Sequence, residues 1–77
     1  MDSKNYIPEN LKYLRWLKRI TQKQLGEKLN IARSTISNWE QGTSIPDIFV
    51  IKKLKAFFDV SYEDLLDDTS YKRIDKE

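Results

Sequence analysis

The sequence predicts an all-α domain of five short helices, and three observations carry that expectation. Apolar residues recur at helical spacing, as in Leu11, Leu14 and Leu17 and again in Ile48, Ile51 and Leu54. Helix-start signals stand where helices would begin: Thr21 with Gln24, and Ser61 with Asp64, have the spacing of a capping box. Turn-forming residues, Asn30 and Gly42, fall where helices would end. The first helix is expected over residues 8–19, because Pro8 suits a first helical position. The second covers 22–29 and the third 33–41. The fourth, over 47–58, buries Ile48, Ile51, Leu54 and one of Phe57 and Phe58, and a short fifth runs from Ser61 through Leu66. No segment reads as a strand. The final DDTSYKRIDKE is mostly charged, so residues 1–66 are expected to form the domain and 67–77 a flexible tail.

The second and third helices carry the most information. Leu25 and Leu29 lie one turn apart on one helix, and Ile36 and Trp39 share a face of the next, so both bury that side against a common core. Gly26, mid-helix, costs about 1 kcal/mol against Ala unless a close neighbour needs the missing side chain. Asn30 is one of the few non-glycine types that readily takes a left-handed turn, after which Ile31 returns to the core. Gly42 closes the third helix, and Pro46 prevents its continuation. This is the pattern of a helix-turn-helix. The outward face of its second helix reads Arg33, Ser34, Thr35, Ser37 and Asn38, donors and acceptors that can reach base edges in a major groove roughly 12 Å wide. A merely solvated helix more often carries Glu and Lys pairs there. Thr43 and Ser44, in the following loop, are candidate phosphate contacts. Trp39 shares the Ile36 face and reads as core, whereas Trp16 lies off the stripe of helix one.

Composition narrows the remaining classes. A chain of 77 residues predicts one small domain whose core supplies only a few kcal/mol unless a partner adds surface. Cysteine and histidine are absent, which removes thiolate metal sites, disulfides, the thiol nucleophile and the commonest general base. Gly26 and Gly42 are the only glycines, and neither belongs to a phosphate-binding loop. The expectation is therefore no enzyme, no cofactor, no metal and no small-molecule substrate. With neither a membrane-length apolar run nor a signal-like start, a cytoplasmic location is expected. Net charge is only +2, but residues 1–45 carry +4 and the remainder −2, which concentrates positive potential around the helix-turn-helix.

Taken together, Leu14-Arg15, Thr21-Gln22, Leu25 to Leu29, Ser34 to Gly42, Pro46, Leu54, Val60-Ser61 and Asp64-Leu65-Leu66 resemble the Cro and phage-repressor-like helix-turn-helix family, over about residues 8–66. The resemblance implies the compact five-helix, lambda-repressor-like fold and DNA binding. It further implies that Gln22 touches a backbone phosphate and braces Arg33, and that Arg15 and Glu40 form a partly buried ion pair. Two positions depart from the family pattern. Ala32 stands where a Ser or Thr cap is usual, at a cost of about 1 kcal/mol. Lys55 stands where a small residue is usual, which shifts helix four and gives Ala56 the inward role.

The expected function is a sequence-specific transcriptional regulator, a repressor that binds double-stranded DNA at an inverted-repeat operator as a homodimer. Phe49, Phe58, Tyr62 and Leu66 offer more apolar surface than one small core needs and are the expected dimer interface, at the end through which the family commonly pairs. The alternative from another class is a protein-interaction module, such as an antitoxin that binds a cognate toxin.

Overall fold

The computed structural model describes residues 4–73. Within them the chain forms α1 (Ile7–Lys18), α2 (Gln22–Leu29), α3 (Arg33–Gln41), α4 (Ile48–Phe58) and α5 (Tyr62–Leu66), followed by one 3-10 turn at Ser70–Lys72. Among the described residues there is no strand, and no helix is long and apolar enough to cross a membrane.

Local chemistry sets most boundaries. The Thr21 hydroxyl accepts from the Gln24 backbone N–H at 3.0 Å, while the Gln24 side chain accepts from the Thr21 N–H at 2.8 Å, closing a capping box at the start of α2. Ser61 and Asp64 repeat the arrangement at α5, and Asp47 caps α4 by accepting from Val50 N–H at 3.0 Å. Ala32 provides no side-chain cap to α3. Arg19, Asn30 and Asp59 end α1, α2 and α4 in the left-handed region at φ 57°, 58° and 56°. At Arg19 and Asp59 a non-glycine residue bears this conformation because the next helix must reverse at once.

The core gathers Ile7, Leu11 and Leu14 of α1, Leu25 of α2, Ile36 and Trp39 of α3, Ile51, Leu54 and Phe58 of α4, and Leu65 of α5. Against this frame, several expectations need correction. Helix α1 starts within one residue of Pro8, as expected, but its buried face is Ile7, Asn10, Leu11 and Leu14. Leu17 is exposed, because it sits about 10 Å along the helix beyond Asn10, the point where α5 closes over α1. Ile48 is exposed as well, since the buried face of α4 is centred on Ile51, Leu54 and Phe58 and Ile48 lies about a quarter turn to its side. Ala56 faces solvent rather than inward. Lys55 is half-buried, and its ammonium lies 5.2 Å from the centre of the Tyr62 ring, in reach of a cation–π contact.

The segment after α5 also differs from a loose tail. Asn10, only 1% exposed, donates from Nδ2 to the carbonyls of Leu65 and Asp67, both at 2.8 Å. Its Oδ1 accepts from the Thr69 hydroxyl at 2.7 Å and from an Arg73 guanidinium N–H at 2.6 Å. The Arg73 guanidinium lies 5.3 Å from the centre of the Tyr13 ring. One buried carboxamide thus satisfies the end of α5 and ties residues 67–73 to α1. Residues 74–77 of the expected tail lie outside the described residues.

Candidate nucleic-acid interface

Helices α2 and α3 approach closely because Gly26 lacks a side chain. A Cβ at that position would stand 2.5 Å from the Ile31 carbonyl oxygen and 3.5 Å from Ile36 Cδ1. The turn is closed by the Ile31 N–H, which donates to the Gly26 carbonyl at 2.9 Å. With Ile36, Trp39 and Glu40 buried, the opposite side of α3 is left outward.

That outward side is centred on Ser34 and Asn38, both exposed, with Thr35 and Ser37 half-buried along its edges and Arg33 exposed at the helix start. Gln41, one turn beyond Asn38 and also exposed, belongs to the same face, and its carboxamide donates to the Ser37 hydroxyl at 3.1 Å. Sequence reading passed over Gln41, although its spacing from Ser34 and Asn38 was the available signal. Thr43 and Ser44 are exposed just past the helix. Thr43 is held there by its N–H and its hydroxyl, which donate to the Asn38 carbonyl at 3.0 and 3.2 Å. The adjoining groove between α2 and α3 carries Lys23 and Arg33 on its walls, with Glu27 as its one acid.

The acidic residue of α3 is hidden from this face. Glu40 is 4% exposed, and its two oxygens accept from Arg15 Nε at 2.7 Å and from a second Arg15 guanidinium nitrogen at 3.0 Å. Arg15 donates a third bond, to the Ile20 carbonyl at 2.9 Å, so one side chain joins α1, the turn before α2, and α3. The hydrogen bond to Glu40 raises the guanidinium pKa against the opposing effect of burial. The surface consequence is an outward face made of neutral donors and acceptors plus one cation.

The Nε2 of Gln22 donates to Glu40 at 3.0 Å. An arginine guanidinium has no acceptor, so the expected brace to Arg33 would use the Gln22 carboxamide oxygen, which Glu40 does not engage. Of the residues expected at a dimer interface, Phe49, Tyr62 and Leu66 are exposed, Phe49 most of all at 72%. Phe58 is not available there: it is 7% exposed and packed in the core, in edge contact with Phe57 at 5.0 Å between ring centres. Trp16, 44% exposed, stacks on Tyr13 at 5.9 Å.

A family profile described as helix-turn-helix matches residues 11–65. The chain is 41% identical over 58 residues to the helix-turn-helix-type transcriptional activator BcrR of Enterococcus faecalis, across 75% of this chain and 28% of that protein. It is 40% identical over 59 residues to an uncharacterised helix-turn-helix-type transcriptional regulator of Methanocaldococcus jannaschii, across 77% of this chain and 89% of the relative. A crystal structure of a transcriptional regulator from Listeria innocua superposes with a TM-score of 0.77 at 23% identity, covering 96% of this chain and 67% of that one. The chain belongs to the helix-turn-helix family, in the Cro and phage-repressor-like group whose members include transcriptional regulators. It spans only about a quarter of the length of BcrR.

Proposed function

We propose that the chain is a sequence-specific DNA-binding transcriptional regulator that recognises an inverted-repeat operator as a homodimer and represses by occupying promoter DNA. The observation that carries this reading is the outward face of α3, where the only carboxylate of the helix is buried under Arg15 and the exposed groups suit base edges and phosphates. The relatives named as transcriptional regulators support the same class of function.

Arg33→Ala is expected to stay folded and to weaken operator binding by about 1–3 kcal/mol, with relaxed preference at one operator position. Titration against operator and scrambled duplexes measures both effects. Affinity for the operator equal to that of the parent protein would remove Arg33 from the reading surface.

Pairing through the C-terminal end is carried by the exposure of Tyr62 and Leu66 on α5 and of Phe49 on α4. Tyr62→Glu or Leu66→Glu is expected to give a folded monomer with weakened operator binding, because two linked modules multiply a modest single-site affinity. Sedimentation checks this directly: a parent protein that remains monomeric at high concentration and binds a half-site undiminished would rule out the dimer.

A further inference from the structure

We infer that Glu40 is a positioning residue for Gln22, holding its carboxamide in one orientation so that α2 meets the DNA backbone already ordered. The inference rests on the DNA-binding reading proposed above and extends it to a phosphate contact at Gln22, the first residue of α2. An ionised carboxylate only accepts hydrogen bonds, so the Gln22 amide must turn its NH2 group toward Glu40 and cannot present its oxygen there. The Nε2 to Glu40 distance of 3.0 Å uses one of the two amide hydrogens. The second is left for an outside acceptor, beside the backbone N–H of the first helical position, which has no partner within the helix. A phosphate oxygen is itself acceptor-only, so an amide held with hydrogens available matches it and a reversed one does not.

The same carboxylate oxygen takes an Arg15 N–H at 3.0 Å, and its partner oxygen takes Arg15 Nε at 2.7 Å, which holds Glu40 itself in place. A long side chain normally loses its freedom when it binds, and ordering it beforehand shifts that cost out of the binding step, an advantage of about twofold to tenfold in affinity. The ion pair therefore has a role in recognition beyond joining α1 to α3.

The test is a cycle of parent, Glu40→Gln, Gln22→Ala and the double variant, each titrated against a duplex recovered from random-sequence DNA at a temperature where circular dichroism shows the variants folded. Glu40→Gln is expected to weaken binding about twofold to tenfold when Gln22 is present and to add no further loss when residue 22 is Ala. An equal loss in both backgrounds, or none in either, overturns the inference and leaves Glu40 as a purely structural residue. A second readout uses the unbound parent protein and requires no variant: one Gln22 side-chain amide hydrogen should exchange with solvent more slowly than the other. Two hydrogens exchanging equally fast would overturn the lock whatever the fate of Glu40→Gln. Failure of the DNA-binding reading looks different, since the parent would then recover no duplex at all while the amide measurement still decides the Glu40 contact.

Discussion

Arg15→Ala is expected to destabilise the domain by about 2–4 kcal/mol, the cost of leaving a buried carboxylate without its main partner. The substitution removes two hydrogen bonds to Glu40 and one to the Ile20 carbonyl. Glu40, at 4% exposure, is then left with the neutral Gln22 amide. The reverse change should cost less. With its side chain 21% exposed, Arg15 can swing toward water when Glu40 is removed, so Glu40→Ala is expected to lose about 1–2 kcal/mol. The double variant should recover part of the Arg15→Ala loss, because no stranded charge remains. Urea or thermal denaturation of the four proteins gives the coupling, and for a domain of this size the Arg15→Ala midpoint should fall by about 10 °C or more. A coupling near zero would mean that the pair behaves as an ordinary surface salt bridge.

Gly26→Ala is expected to lose about 2–4 kcal/mol even though alanine is the better helix former by about 1 kcal/mol. The added carbon would stand 2.5 Å from the Ile31 carbonyl, a backbone atom that cannot rotate away, so α2 and α3 must separate. Because that separation also tilts the outward face of α3, DNA affinity should fall beyond what lost stability explains. An exposed substitution on the same helix, Lys28→Ala, serves as the control and should change stability little. Denaturation of both variants decides the matter, and a Gly26→Ala protein as stable as the parent would contradict the close crossing on which the motif depends.

The features legible in the sequence are those made by neighbours along the chain. Capping at Thr21 and Ser61, the left-handed turn at Asn30, the close approach at Gly26 and the bounds of α2 and α3 all depend on residues within a turn or two of one another. Which side of a helix is finally covered depends instead on where its partners stop. That is why Leu17 and Ile48 were expected inside and are exposed, and why Phe58, expected at an interface, completes the core. Asn10 shows the limit most clearly. Its partners lie 55 to 63 residues away in sequence, and no spacing rule points from a lone asparagine in a helix to Leu65, Asp67, Thr69 and Arg73. The bond from Gln22 to Glu40 was hidden for a related reason. Family resemblance supplied a pair, Arg15 with Glu40, whereas the carboxylate has capacity for a third donor and its position relative to α2 emerges only once α1, α2 and α3 are packed.

Selecting bound fragments from random-sequence DNA and sequencing them decides whether the outward face of α3 reads DNA as one half of a symmetric pair. The recovered fragments should share a short motif repeated in inverted orientation, with half-site centres about 34 Å apart, one helical turn. The enrichment should be lost when Arg33→Ala replaces the parent protein. A recovered pool indistinguishable from the input, obtained with protein shown to be folded, would contradict sequence reading by α3.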